Sequence, residues 1–266
     1  MPADLPCLYH FRVSHYNEKV RWALDLKRWP HRRVALVPGF HVARAGWVSG
    51  QTALPILVLD GRVLVDSTRI IAELERLRPD PPLYPADPQA RARALALEEH
   101  FDEEVAPDLR RLFWATWLDH PALCARMATD GCGAITRGVF RGLLPLLRPL
   151  FRRDMGMSRA DLDGARARLG GHFDRLEAEL GPSGFLVGEA FSVADLTAAA
   201  VMTALVRPPG FPYPLPEPWP PELLELRAGL SARPGWRWVE ETYARHRPAS
   251  AEVGSQLARV DPALPG

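Results

Sequence analysis

A proline-rich segment, residues 78–89, divides this chain of 266 residues into two parts with different hydrophobic periodicity. Proline disfavours the continuation of a helix and stiffens a connector, so we expect a linker here. Before it, short apolar runs alternate with helical patterns, whereas after it nearly every segment has helical periodicity. The sequence therefore predicts a mixed α/β domain over residues 1–79, a linker over 80–90, an all-helical domain over 91–246 and a loose tail over 247–266.

The clearest local signal in the first part is a pair of apolar runs joined by Asp60-Gly61. Asp-Gly is favoured in a type I′ turn, so these runs predict a β-hairpin over residues 56–65. Strand, helix and strand patterns precede the hairpin, and a capped amphipathic helix over 68–78 follows it. This order predicts an α+β fold with a small sheet next to a helical domain.

The composition excludes several classes of function. Lys+Arg 33 against Asp+Glu 32 gives a net charge of +1, which is too small to hold nucleic acid through its phosphates. Three scattered cysteines do not form a disulfide framework, and the eight histidines lack metal-site spacing, so we expect no metal. No run is apolar enough for a signal peptide or a membrane span, so we expect a cytoplasmic protein with no membrane partner. Only Lys19 and Lys27 are lysines, which we attribute to genomic composition.

Four segments together resemble one known family. They follow one another in the order and spacing of four features of the soluble glutathione transferase superfamily. Ser14-His-Tyr-Asn-Glu-Lys-Val-Arg21 resembles its active-site turn and first helix, and Leu54-Pro55 resembles its cis-proline loop. Asp66-Ser67 resembles the acidic-Ser pair at its third helix, and Phe185–Asp195 resembles its C-domain folding signature. The resemblance covers residues 6–245. It implies an N-terminal thioredoxin-like domain followed by an all-α domain, and a two-fold homodimer.

Within the last of these segments, Ser192-Val-Ala-Asp195 has the form of a helix capping box. A buried aspartate with unpaired oxygens would be costly. We therefore assign Asp195 to folding and expect backbone N–H groups as its partners.

The resemblance implies a serine-type active site at Ser14 and glutathione as co-substrate. Ser14 lies between a strand and a helix, so its hydroxyl is close to the positive end of the helix dipole. A hydrogen bond to a thiolate contributes about 1.5–3 kcal/mol and the helix terminus about 0.3–1 kcal/mol. Together they lower a thiol pKa from about 8.5 by roughly 1–3 units. The alternative is an ordinary N-cap serine; we expect its neighbour His15 to face solvent.

Two further pairs are candidate glutathione contacts. In the family pattern, the Leu54-Pro55 bond turns the backbone N–H and C=O of Leu54 outward. An extended peptide can then pair with them as an added β-strand would. Asp66 offers a carboxylate to the γ-glutamyl ammonium, and Ser67 offers a hydroxyl and a helix N-terminus to its carboxylate. The alternatives are a trans proline that starts a strand and a simple helix cap.

The remaining site residues depend on the resemblance alone. The family commonly has Lys or His before the cis-proline, so His41 and Gln51 are candidates for the glycine end of glutathione. The acceptor pocket is expected between the domains, with Arg111, Trp114 and Tyr213 as candidates.

The expected activity is attack of the glutathione thiolate on a hydrophobic electrophile or a peroxide. Isomerase and dehalogenase chemistry use the same thiolate, and the sequence does not separate them. The alternative is a non-catalytic module that keeps the fold for binding or regulation, because Asp66 is shorter than the usual Glu or Gln and the loop lacks a lysine.

Overall fold

A four-stranded sheet forms the scaffold of the N-terminal domain in the computed structural model, which describes residues 5–254. The strands are β1 (Cys7–His10), β2 (Arg32–Ala35), β3 (Ile56–Leu59) and β4 (Arg62–Val65), in the order β2-β1-β3-β4. β1 is parallel to β2 and antiparallel to β3. The predicted hairpin is confirmed, because Asp60 and Gly61 have φ values of +49° and +74°, as a type I′ turn requires.

Three helices complete this domain: α1 (His15–Leu26), α2 (His41–Ser49) and α3 (Ser67–Leu77). The sequence pattern indicated one apolar face on α1, yet ten of its twelve residues are buried, including Glu18, Lys19 and Arg21. The reason is that α1 packs against α3 in its own domain and against a helix of the second domain. Its charged side chains are therefore paired inside the molecule.

The second domain is all-helical, so the predicted α+β architecture is confirmed. Its helices are α4 (Pro88–His100), α5 (Ala106–Leu118), α6 (Pro121–Ala128), α7 (Ala134–Asp154), α8 (Arg159–Glu179), α9 (Val193–Val206), α10 (Pro221–Ala228) and α11 (Pro234–His246). No helix within residues 5–254 is both long and apolar enough to cross a bilayer.

The periodicity predicts one long helical segment over residues 89–119 that Pro107 kinks or splits, and the structure divides this segment at a wide turn. Residues Phe101–Val105 form a π-helical turn between α4 and α5. Pro107 follows at the start of α5; it has no N–H to donate, which ends the regular hydrogen-bond ladder there. The turn contains Asp102, which contacts α1 of the first domain.

Helix α9 is the centre of the core, because all fourteen of its residues are buried. It packs against α1, α4, α5 and α11, so it joins the two domains. At its N-terminus the buried Asp195 carboxylate accepts the N–H groups of Leu186 (2.8 Å) and Ser192 (2.9 Å). The expectation of backbone partners for Asp195 is confirmed.

The segment from residue 247, which we expected to be a loose tail, is anchored as far as the structure describes it. Arg247 pairs with Glu18 (2.7 Å) and Asp25 (2.8 Å) of α1. The N–H of Ala251 donates to Asp25, and Glu252 forms a β-bridge with His31. Charge pairing therefore replaces the missing hydrophobic periodicity over residues 247–254; residues 255–266 lie outside the described part.

Replacing Asp195 with Ala is expected to lower the free energy of unfolding by about 2–4 kcal/mol, because two buried N–H groups lose their acceptor. Urea denaturation measures the change. The matched control is Asp161→Ala, which removes the same capping box from the exposed start of α8 and should have a smaller effect. Equal effects of the two substitutions would contradict a buried role for Asp195.

Candidate functional site

A cleft of ≈ 770 Å³ lies between the two domains. The N-terminal domain contributes to its lining five residues that the sequence singled out: Gln51, Leu54, Pro55, Asp66 and Ser67. The opposite wall comes from α4, the π-turn and α5. Carboxylates dominate this wall, with Glu98, Glu99, Asp102 and Glu103 on it, and Arg110 is its single basic residue.

The loop before β3 provides a free backbone edge in this cleft. The Leu54–Pro55 peptide bond is cis, as the resemblance implies. Among the hydrogen bonds of residues 5–254, none uses the N–H or C=O of Leu54. An extended peptide in the cleft can pair with such an edge.

The start of α3 forms the next part of the lining. Asp66 has a φ of +73° and a ψ of 126°, which lies outside the left-handed helical region. Such a backbone conformation costs roughly 1–3 kcal/mol, and residues of this kind cluster at functional sites. Its carboxylate accepts the N–H of Arg69 at 3.0 Å and so caps α3. Ser67, at the first position of the helix, is buried. The first N–H groups of a helix lack partners within it, so this corner favours a bound anion.

Below the acidic wall, the ammonium of Lys19 is fully buried among three oxygen groups. It contacts Glu98 (3.2 Å), Thr68 (3.3 Å) and the carboxylate of Asp102. The hydroxyl of Thr68 bonds to both carboxylates, at 3.1 and 2.9 Å. This cluster joins α1, α3 and the wall of the second domain around one charge.

The cluster carries more negative than positive charge, because two carboxylates face one ammonium. Burial raises the pKa of Glu98, the Lys19 ammonium opposes that rise, and Asp102 adds to it. The Oε2 atom of Glu98 and the Oδ1 atom of Asp102 are buried and have no hydrogen-bond partner within the described residues. Both oxygens are shielded from solvent, so the negative charge that a cationic donor can reach on this wall is that of the exposed Glu99 and Glu103.

Ser14 is the N-cap of α1, where its Oγ accepts the N–H of Asn17 at 3.4 Å. The residue is half-buried and is not among those that line the cleft. Tyr16, two residues later, does line it, and its hydroxyl donates to the carbonyl of Asp102 at 2.9 Å. Among residues 5–254 the Ser14 hydroxyl donates no hydrogen bond, so its proton remains available at the N-terminus of α1.

His15 is buried, so the expectation that it faces solvent is wrong. The ring is covered by packing between the domains, and it contacts the Tyr16 ring at a centroid distance of 4.4 Å. Burial lowers the pKa of His15 to about 3, with further lowering by the charges of Arg110, Lys19 and Arg207. A neutral imidazole therefore lies next to Ser14 within a positive field.

Arg207, the C-cap of α9, is a functional candidate that sequence analysis missed. All three nitrogens of its guanidinium are buried without a hydrogen-bond partner in the described part of the chain. Its Cζ lies 4.3 Å from the ring centre of Phe211 and 5.5 Å from that of Phe113. Burial lowers the pKa of Arg207 to about 9. A buried guanidinium without a partner is costly, and it fits a ligand that brings an anion.

Four other expected site residues lie apart from this cleft. His41 accepts the N–H of Gly39 at 3.1 Å and makes an edge-to-face contact with the Phe11 ring. Arg111 pairs with Asp108 and the carbonyl of Met155. Trp114 is buried in the core, and Tyr213 lies 5.0 Å from the guanidinium of Arg21. Their roles toward glutathione and the acceptor stay predictions.

The sequence did contain one signal for the ion cluster. Lysine occurs at two positions only in an arginine-rich chain, and the ammonium groups of both lysines are buried against carboxylates. An ammonium is a compact point charge and fits between closely spaced oxygens, whereas a guanidinium is larger and planar. For Arg207 the sequence contains no such signal.

Two family models match the chain. "Glutathione S-transferase, N-terminal domain" matches residues 8–82 and "Glutathione S-transferase, C-terminal domain" matches residues 159–237. A probable maleylacetoacetate isomerase of Caenorhabditis elegans is 35% identical over 99 residues, which are 36% of this chain and 46% of that protein. Two probable maleylacetoacetate isomerases of Drosophila melanogaster also match. In all three relatives the matched segment spans slightly less than half of the relative's length.

Longer matches come from two other proteins. Protein LigF of Sphingobium sp. strain SYK-6 is 30% identical over 211 residues, which are 77% of this chain and 80% of that protein. The crystal structure of LigF, a beta-etherase, superposes with a TM-score of 0.59 at 24% identity over 89% of this chain and 98% of LigF. A glutathione S-transferase of Methylobacterium radiotolerans, in complex with glutathione sulfonate, has a TM-score of 0.53 at 25% identity over 91% and 94% of the two chains.

Replacing Lys19 with Met is expected to lower the free energy of unfolding by about 3–5 kcal/mol at neutral pH, because two buried carboxylates lose their counter-charge. Loss of the ammonium raises the pKa of Glu98 in the folded state further above its unfolded value. Between these two pKa values the folded variant keeps a proton on Glu98 that the unfolded chain releases. The loss of unfolding free energy is therefore smaller at acidic pH and grows as the pH rises through the pKa of Glu98 in the folded variant.

Urea denaturation at pH 5.5 and 7.5 measures this pH dependence. Arg76→Met, which removes an exposed partner of Glu73, is the control and should change stability little at either pH. A deficit of Lys19→Met that is the same at both pH values would show that the wall carboxylates do not depend on Lys19.

Proposed function

We propose that this chain, which belongs to the glutathione S-transferase family, binds glutathione in the cleft between its domains and activates the thiol for reaction with an electrophilic substrate. The single observation that carries the proposal is the convergence on one cleft of the free Leu54 edge, the N-terminus of α3 and the acidic wall. The glutathione sulfonate complex of the relative from Methylobacterium radiotolerans supports this choice of ligand.

The charges of the cleft suggest how the tripeptide is oriented. Its γ-glutamyl carboxylate fits the Ser67 hydroxyl and the N-terminus of α3. Its ammonium fits the acidic wall, where the exposed Glu99 and Glu103 border the cleft, with the exposed Asp66 in the same lining. The wall repels the glycine carboxylate, which we therefore assign to the end of the cleft near Gln51.

The thiol would be activated by Ser14 and by its electrostatic surroundings. The hydroxyl donates to the sulfur, and the N-terminus of α1 together with the charges of Arg110 and Arg207 near His15 favours the thiolate over the thiol. His15 stays neutral, so it contributes no charge of its own to these surroundings. The thiol proton passes to water, and the thiolate attacks the electrophilic carbon of the acceptor to form a carbon–sulfur bond. The group displaced from that carbon, chloride in a chloronitrobenzene, leaves with the bonding electron pair, and Ser14 holds the negative sulfur in place until the new bond forms.

Isomerisation of an unsaturated acid is a second candidate, which Arg207 favours. Its unpartnered guanidinium fits a carboxylate of the substrate, and three relatives are named as maleylacetoacetate isomerases. In this reaction the thiolate adds to a carbon–carbon double bond, the resulting single bond rotates, and elimination regenerates both the double bond and glutathione. No atom is gained or lost overall.

Replacing Ser14 with Ala is expected to lower kcat/KM for conjugation of glutathione to a chloronitrobenzene at least about tenfold, which corresponds to about 1.4 kcal/mol. The glutathione affinity measured by calorimetry should change little. Ser158→Ala, which removes the N-cap serine of α8, is the matched control and should retain activity.

Two results would count against the proposed activity. Unchanged turnover of Ser14→Ala would remove this hydroxyl from the mechanism. An absence of heat when the wild-type chain is titrated with millimolar glutathione would favour a binding or regulatory module without catalysis.

Replacing Arg207 with Met is expected to raise KM at least about tenfold for a cis-configured unsaturated keto acid but not for its methyl ester. The same substitution should not lower the melting temperature, because it removes a buried charge without a partner. Arg227→Met is the control: Arg227 donates to the carbonyls of Leu205 and Val206, so its loss should destabilise α9. Equal effects on acid and ester would exclude carboxylate recognition by Arg207.

A further inference from the structure

The guanidinium of Arg21, in the second turn of α1, is fully buried and uses every hydrogen-bond donor that it has. A guanidinium carries five N–H donors and no acceptor. Five acceptors lie within hydrogen-bond distance: the carboxylate of Glu18, a ring nitrogen of His10, and the backbone carbonyls of Phe11, Arg12 and Ser14. Four of the five donors are therefore directed at residues 10–14.

These four contacts follow the segment that connects β1 to Ser14. The Nη1 group donates to Nδ1 of His10 at 2.9 Å and to the carbonyl of Phe11 at 3.0 Å. The Nη2 group donates to the carbonyl of Arg12 at 3.2 Å and to that of Ser14 at 3.4 Å. The planar fork of a guanidinium fixes the directions of its donors relative to one another. One side chain thus holds the end of β1, the loop after it and the N-cap of α1.

The loop, residues 11–13, has few other contacts that define its shape. Among the described residues its backbone forms one hydrogen bond, from the N–H of Ser14 to the carbonyl of Phe11, at 3.4 Å. The side chain of Arg12 pairs with Asp130 at 2.8 Å, but Asp130 is 43% exposed, so this pair adds little. Without Arg21 the loop carbonyls would lose their donors, and the loop would rearrange to recover them.

The opposite end of the Arg21 guanidinium is held by Glu18. Its Nε group donates to one carboxylate oxygen of Glu18 at 2.7 Å. The other oxygen of Glu18 accepts the hydroxyl of Tyr243 at 2.9 Å and the Nε group of Arg247 at 2.7 Å. Glu18 offsets the charge of Arg21 at short range, so Arg21 acts on the loop through the geometry of its hydrogen bonds.

Arg21 is 0% exposed and is not part of the cleft lining, so it does not touch a ligand there. We propose that Arg21 is a positioning residue, which holds the loop so that the Ser14 hydroxyl is directed at the sulfur of bound glutathione. This inference rests on the proposed function, in which Ser14 donates to that sulfur. A hydrogen bond weakens steeply with distance and angle, so a small displacement of the loop is enough to remove its contribution.

A double-mutant cycle with Ser14 tests this role. Arg21→Met is expected to lower kcat for conjugation of glutathione to a chloronitrobenzene about tenfold and to change KM for glutathione less than about twofold. In a Ser14→Ala background the same replacement should change kcat less than about twofold, because the group that it positions is absent. A residue with only a structural role would lower kcat by the same factor in both backgrounds.

Arg33→Met is the matched control. Arg33 is a buried guanidinium on β2 that pairs with Asp25 and donates to His31, and within residues 5–254 it makes no hydrogen bond to residues 11–14. Its replacement should lower the melting temperature, as Arg21→Met should, but leave kcat unchanged. A loss of kcat in Arg33→Met equal to that in Arg21→Met would assign the effect to lower stability and refute the positioning role.

Arg21→Lys separates geometry from charge, and it keeps the test valid if Arg21→Met does not fold. An ammonium retains the charge beside Glu18, but it has three donors and no planar fork. We expect this variant to lower kcat at least about threefold, and wild-type kcat would overturn the proposal.

The cycle also separates failure of this inference from failure of the proposed function. If Ser14→Ala retains wild-type kcat, Ser14 has no part in the mechanism, and both the proposed activation and the positioning role fail. If Ser14→Ala lowers kcat but Arg21→Met does not, or lowers it equally in both backgrounds, only the positioning role of Arg21 is refuted.

Discussion

The burial of the Lys19 ammonium between the two domains is the constraint on which the cleft depends. A charge removed from water is stable only with close opposite charges and satisfied hydrogen bonds. Here the partners come from α3 and from the wall of the second domain, so the domains are held in one relative position. The same contact fixes two carboxylates at the edge of the cleft, and within residues 5–254 one oxygen of each has no hydrogen-bond partner.

Opposite charges therefore occupy different parts of the site. The acidic wall lies across the cleft from α3, whereas Arg110 on the α5 part of that wall, Lys19 and Arg207 act on His15 with positive charge, and Ser14 lies at the N-terminus of α1. A zwitterionic peptide that carries an acidic thiol suits this separation, because its ammonium and its sulfur would lie in regions of opposite sign. Because burial keeps His15 neutral near pH 7, its ring leaves this positive potential unchanged as the pH varies around neutrality.

Charge pairs also hold the outer parts of the fold to the core. Arg247 links the end of the helical domain to Glu18 and Asp25 of α1, and Asp195 fixes the start of α9 through backbone N–H groups. Helix α7 is different, because it packs by apolar side chains on one side and leaves a second apolar stripe within residues 135–150 uncovered.

Local patterns in the sequence were sufficient for much of this architecture. Asp60-Gly61 specifies its turn by conformational preference, the proline-rich segment interrupts helical periodicity, and the capping boxes mark the starts of α8 and α9. The glutathione-site candidates Leu54, Asp66 and Ser67 were found by their resemblance to family segments, and the structure places them along one cleft. These features depend on residues that are neighbours in the chain.

Contacts between residues far apart in the chain were decided by the tertiary structure alone. Lys19 meets Glu98 and Asp102 about eighty positions away. Pro107 marks in the sequence where the long helical segment is interrupted, but the π-helical form of the turn is visible only in the structure. His15 and Arg207 look like surface residues in the sequence, because local patterns do not show that α9 covers α1. Burial and the pairing of charges depend on which surfaces meet, and that is settled only when the two domains pack together.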